Sequence, residues 1–329
     1  MRTIFYKAFL FISTTCLANP FLINIPAKEH LEEADFIEIQ AKLRSLNTQL
    51  LIDNLYPKEL PFTWFWQKPS LQKKSDFVGR ISRGARQTLI DISLDKKPLK
   101  ELIKINEGGD SCIVSFASYD GIYPSLLDAM PKALKKTGFN GHFLLLKGGF
   151  PNPTGNEIQY SAVPYSFKIF ALLEAKKLGF HKVLWLDTAL VPLKDPKPLF
   201  DWIEKTGCFF HPRKNAKRYL LPQTQALLLK KTGVDMYETP CIRARIIGLD
   251  LSTQKVQSLI RDYYHMVELG TPFLSCFPEE FVLGALLGKS KENWPFQPFT
   301  NLVKNARKLH GKDIEWAQKE EFFFLLEQH

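Results

Sequence analysis

The residue in this chain best placed to do chemistry is Asp187, which closes the apolar run Val183-Leu-Trp-Leu186 and opens a turn. A carboxylate at the carboxyl end of a buried strand lies where open α/β sheets take their ligands. There it can hold a hard divalent cation, and through it a diphosphate. An Asp that caps a turn explains the same position, and both readings stay open at this point. A second acidic group lies at Glu279-Glu280, just after Pro278 at the head of an apolar helical run. Acids in a first helical turn are favoured by the helix dipole with or without a function. The run His211-Pro-Arg-Lys-Asn-Ala-Lys-Arg218 concentrates positive charge directly behind a strand. It suits a loop folding over phosphates or an acidic membrane surface, and equally a solvated loop. Nucleic-acid binding is not expected, because the run has neither aromatic interleaving nor a known module.

Positioning Asp187 requires alternating strands and helices, and these begin at Ser111. Cys112–Ala117 reads as a strand, Tyr123–Lys136 as a helix closing at Gly138, and Gly141–Leu146 as a second strand. Val163–Leu178 is a periodic helix with Phe167, Phe170, Ala171, Leu173 and Leu178 inward, ended by Gly179. Lys182–Asp187 is a third strand, followed by a short helix over Pro198–Lys205 and a strand over Cys208–Phe210. Ile246–Asp250 leads into a helix over Thr253–Leu269, and Pro278–Leu287 forms another. This order implies an α/β fold, a mostly parallel central sheet flanked by helices on both faces.

Residues 19–110 read as an accessory helical and irregular region. It has a helical stretch within Pro26–Leu51, an aromatic Pro-rich tract containing Trp64 and Trp66, and a short helix at Leu99–Ile105. The Gly108-Gly109-Asp110 cluster marks its end. Residues 1–18 resemble an export signal, with Arg2 and Lys7 before a short apolar stretch and small residues at Cys16-Leu-Ala18. A buried N-terminal strand or helix is the alternative, which would leave the protein cytoplasmic. A bundle of membrane-spanning helices is excluded, since no apolar run reaches the about 20 residues a bilayer demands. The net charge of +10 points to anionic partners, although lysine-rich solvated faces have the same effect. Cys112, Cys208, Cys241 and Cys276 show no zinc-type spacing, and only Cys241 with Cys276 would be candidates to pair in an oxidising compartment.

From Tyr165 to Phe200, and more loosely over Ser111–Leu287, the arrangement resembles the GT-A-fold nucleotide-diphospho-sugar transferases. The likeness is carried by the helix leading into Val183-Leu-Trp-Leu-Asp187 and by Lys194-Asp195-Pro196 before Leu199-Phe200. The resemblance implies a Rossmann-like domain over 111–329 and a glycosyltransferase that moves a sugar from a nucleotide-sugar donor to a hydroxyl acceptor. It implies that Asp187 organises the diphosphate directly or as a metal ligand, and that Lys168 adds an exposed ammonium for a phosphate. It implies that Ser118, Tyr119 and Asp120 hydrogen-bond, stack on and hold the nucleoside, and that Glu280 faces the acceptor as a catalytic base. The family's Asp-x-Asp metal motif reads Asp187-Thr188-Ala189 here, so the second carboxylate is absent. Divalent metal (Mn or Mg) dependence is therefore in question, and Asp195 would be a more distant ligand unless it is only the turn residue before Pro196. Two rivals remain: a non-catalytic binding protein that kept the fold, and an exported basic protein contacting membranes or a partner through Trp64, Trp66 and Arg213–Arg218.

Overall fold

A computed structural model describes residues 98–119, 121–149, 159–213, 219–220, 222–290, 294–306 and 311–327, with isolated positions 19, 22, 34, 38 and 41. The signal-like segment 1–18, nearly all of the accessory region, Asp120 and the basic residues 214–218 lie outside the described residues.

Six strands form the main sheet: β1 (Leu99–Ile105), β2 (Ser111–Ala117), β3 (Gly141–Lys147), β4 (Lys182–Leu186), β6 (Cys208–Arg213) and β7 (Cys241–Asp250). Their order is β1-β3-β2-β4-β7-β6. The α/β class holds, but the sheet is mixed rather than mostly parallel. Helix α1 (Tyr123–Lys136) links β2 to β3, and α2 (Phe167–Lys177) links β3 to β4. These crossovers return the chain to the same end, so β3, β2 and β4 are parallel. β1 and β7 run against their neighbours. The reversal of β7 carries its first half past the carboxyl end of β4.

Side chains alternate between two cores, as a period-2 strand demands. Val183 and Trp185 of β4 face one core with α2, α5 (Gln254–Leu269) and α6 (Pro278–Lys289). Leu184 and Leu186 face the other with α1 and α3 (Lys197–Thr206). α4 (Pro222–Thr232) joins the first layer through Leu228. A second sheet, β5 (Leu190–Pro192), β9 (Phe324–Glu327) and β8 (Val303–Ala306), packs beside α7 (Gly311–Lys319). It draws on a C-terminal region for which the sequence suggests no strands.

Leu99–Ile105, expected as a helix, is the edge strand β1. It pairs along its full length with β3, from Leu99 opposite Lys147 to Ile105 opposite Gly141. Only Ile105 of this strand is buried, so the pairing rests on backbone hydrogen bonds that the open edge of β3 would otherwise leave unmade. The sheet therefore begins ahead of the Gly108-Gly109-Asp110 cluster. Helix α2 starts at Phe167, after a turn that spans Val163, and Leu178 just beyond it is exposed.

Helix α6 is buried all round, from Pro278 to Leu287. Gly284 is what lets it approach β7: a Cβ there would lie 3.0 Å from the Cα of Cys241 and 2.9 Å from Met236 Cε. Gly284→Val should push the helix off the strand, at a cost of about 1–3 kcal/mol from overpacking. Urea denaturation measures it, and an unchanged midpoint would show that the contact is not tight.

Candidate functional site

Asp187 follows β4 directly, and its backbone N–H donates to the carbonyl of Arg245 on β7 at 2.9 Å. Its side chain is 28% exposed, so it meets both the protein interior and an open cleft. Oδ1 accepts from Trp185 Nε1 at 2.8 Å and lies 3.1 Å from Lys168 Nζ. Around it lies a cleft of about 260 Å³ lined by Tyr165, Lys168, Arg213, Arg243, Arg245, Cys276, Phe277, Glu279 and Glu280.

Lys168 belongs to the first turn of α2, a helix buried on most faces. The expectation of an exposed ammonium is corrected: the side chain is only 8% exposed, and all three of its protons have partners. These are Asp187, Glu279 Oε1 at 2.9 Å and the carbonyl of Ala244 at 3.0 Å. Burial opposes its charge, but Asp187 and Glu279 prevail and hold the ammonium above the usual lysine range. A phosphate would have to displace one of these partners to reach it.

Glu279 and Glu280 enter from the other side, in the first turn of α6. Burial raises the pKa of both. Lys168 counteracts this at Glu279, while Glu280, opposed chiefly by Arg213, is still pushed up to about 7. Glu280 accepts from Arg213 Nη1 and, at 3.3 Å, from the backbone N–H of Ala244. Beyond the end of β4, the free edge of β7 at Ala244 is thus completed by Lys168 on its carbonyl and Glu280 on its N–H. Glu279 Oε2 is buried with no hydrogen-bond partner among the described residues.

The signal that sequence reasoning passed over is Arg243-Ala-Arg245. Arginines two residues apart in an otherwise apolar strand share one face of it, and both line the cleft. Among the described residues neither has an ion-pair partner, and Arg243 Nε is buried without a hydrogen bond. Arg213, on the paired strand β6, stacks its guanidinium 4.3 Å over Phe277 and 5.0 Å over Tyr219. Burial first, then Arg245 and Arg213, depresses the pKa of Arg243. The nearby His211 is held down to about 4 by burial and by Arg243 and Arg245. Cations crowded this way repel one another unless an anion joins them. Tyr165, also in the lining, has a left-handed backbone (φ 57) that is costly for a non-glycine residue and frequent at ligand sites.

Asp187, Lys168 and Glu280 thus line one cleft. Ser118 and Tyr119 follow β2 but are absent from the cleft lining. Ser118 is buried, and the ring of Tyr119 lies against Gly148, where a Cβ would come within 2.1 Å of it. Asp195 accepts from the backbone N–H of Lys197 at 2.9 Å and serves as the turn residue at the head of α3. Cys241 and Cys276 are both buried and are not joined to each other in a disulfide.

The cleft does not suit a divalent cation. Its carboxylates are already countered by Lys168 and Arg213, and Ala189 packs against the core on the opposite face of the sheet. Among the described residues no group of three or more His, Cys, Asp or Glu is arranged to hold a metal ion.

No protein-family model matches this chain, and no curated protein does. Solved structures similar to it include the galactosyltransferase LgtC in complex with donor and acceptor sugar analogues. The two share 11% identity over 66% of this chain and 87% of that one, at a TM-score of 0.36. Another is the apo form of mouse xyloside xylosyltransferase 1, with 10% identity, 78% and 92% coverage and a TM-score of 0.31.

Proposed function

We propose that the chain is a glycosyltransferase that moves a sugar from a nucleotide-sugar donor to a hydroxyl acceptor. The observation that carries this reading is the meeting of Asp187, at the carboxyl end of β4, with two arginines of β7 that have no counter-ion among the described residues. The arrangement of residues 165–200 supports the same reading. In the reaction the anomeric carbon exchanges its bond to a phosphate oxygen for one to the acceptor oxygen. Negative charge develops on the departing nucleoside diphosphate, where fixed cations in a partly desolvated cleft act most strongly. Asp187 accepts hydrogen bonds from donor hydroxyls with the carboxylate face that the cleft exposes. Glu280 takes the acceptor's proton; a carboxylate raised to about 7 is matched to that work near neutral pH.

The test is a panel of nucleotide sugars, scored for release of nucleoside diphosphate and for a rise in melting temperature. One donor should both stabilise the protein and be turned over. Asp187→Asn should lower kcat/KM for that donor by roughly 10–100-fold, the scale of a lost hydrogen bond to a charged group. Binding without turnover would leave a non-catalytic binding protein, and no response to any donor would remove the reading.

A further inference from the structure

We propose, building on the transferase reading, that the cleft holds the donor's diphosphate without a divalent cation. Arg243 and Arg245 grip the anion directly, and the Lys168 ammonium fills the place beside Asp187 that a metal would take.

Lys168 Nζ lies 3.1 Å from Asp187 and 2.9 Å from Glu279, so the carboxylates that would attract a metal already share a buried cation. A dication entering there would face that ammonium at close range. Like charges at such range in a partly buried cleft repel strongly, and a dication feels twice the repulsion of a single charge. Ala189 supplies no oxygen in compensation, and its side chain belongs to the other face of the sheet.

The cationic side of the cleft, by contrast, holds two guanidiniums with no anion beside them among the described residues. Four cationic side chains, Lys168, Arg213, Arg243 and Arg245, line it against three acidic ones, Asp187, Glu279 and Glu280. Lys168 and Arg213 are spent on those acids, which leaves Arg243 and Arg245. The Nε of Arg243 is a buried donor with nothing to donate to among the described residues. Planar guanidinium forks side by side on one strand face match successive phosphates, each able to bond two oxygens at once. The hydrogen bond from the Asp187 N–H to the Arg245 carbonyl fixes this pair against the carboxylate. Glu279 Oε2, likewise buried and unpartnered among the described residues, would receive a hydroxyl of the bound molecule.

Isothermal titration of the full chain with inorganic pyrophosphate and with nucleoside diphosphates, in EDTA and again with excess manganese, tests the proposal. The expected result is binding in EDTA, with dissociation constants within about threefold of those with manganese. Arg243→Gln/Arg245→Gln should weaken that binding by about 100-fold or more through the loss of two charge-assisted contacts. The wild-type comparison stands even if this variant folds poorly. Binding that appears only with manganese overturns the proposal and leaves the nucleotide-sugar reading intact. Metal-free pyrophosphate binding with no turnover of any nucleotide sugar upholds the anion clamp and removes the transferase reading. No binding in either medium overturns the clamp.

Discussion

Lys168→Met is expected to lower the unfolding free energy by about 3–5 kcal/mol, the scale of breaking a buried ion pair by removing one partner. Methionine keeps most of the volume but leaves Asp187 and Glu279 facing each other with no ammonium between them. It also strips the Ala244 carbonyl of its donor, and an unmade buried hydrogen bond costs on its own about 1–3 kcal/mol. Urea denaturation gives the number. Adding Glu279→Gln should recover part of the loss, because the second substitution removes one of the two stranded charges. The double-mutant cycle should then return a coupling of about 1 kcal/mol or more, since the two groups touch. A single-variant loss below about 1 kcal/mol would mean that water reaches the ammonium and that the buried cluster is not as described.

The second large effect is on the pH dependence of stability. Glu280 has a folded pKa of about 7 against an ordinary value of 4.5. Below pH 4.5 its carboxyl is neutral in both states and its contribution is fully present. Between 4.5 and 7 the unfolded chain alone releases the proton, so stability drains away as pH rises, by on the order of 3 kcal/mol in all. His211 behaves oppositely. Its folded pKa, about 4 against 6.5, gives stability that is present above 6.5 and lost as pH falls through 4. Across their shared window the two slopes offset each other. Glu280→Gln should therefore unmask a protein whose stability climbs steadily from pH 4 to 6.5 and no longer declines toward 7. Denaturation midpoints at four or five pH values read this directly. A variant that tracks the wild-type profile would show that Glu280 is ionised throughout, held by Arg213.

Much of this molecule is legible from residue order. The helix over Tyr123–Lys136 has the boundaries its periodicity implies, and β2, β3 and β4 fall where short apolar runs end in turn residues. Asp187 stands out because a carboxylate ending a buried strand lies where open α/β sheets take their ligands, although a turn cap explains the same position. Glu280 is legible as one of two acids heading an apolar helix, a place the helix dipole favours with or without a function. These are local signals: periodicity, breakers and polar residues at element ends act over a few residues and need no knowledge of the rest of the chain.

What folding alone decides is which distant residues meet. Lys168 reads as an exposed ammonium until α2 is seen to be buried on most faces, and only then do two carboxylates from elements far apart in sequence become necessary to hold its charge. Leu99–Ile105 has the spacing of a helix and becomes a strand because the edge of β3 needs a partner. The arginines depend on topology most of all. In a parallel sheet the first half of β7 would lie at the end remote from Asp187. Because β7 runs antiparallel to β4, Arg245 comes to hydrogen-bonding distance of the Asp187 backbone and Arg243 lies two residues further along the same face. Strand direction is set by the path of the intervening chain and by which sheet edge is open when it arrives. Both are properties of the whole fold, and neither is written in the seven residues that separate Pro240 from Gly248.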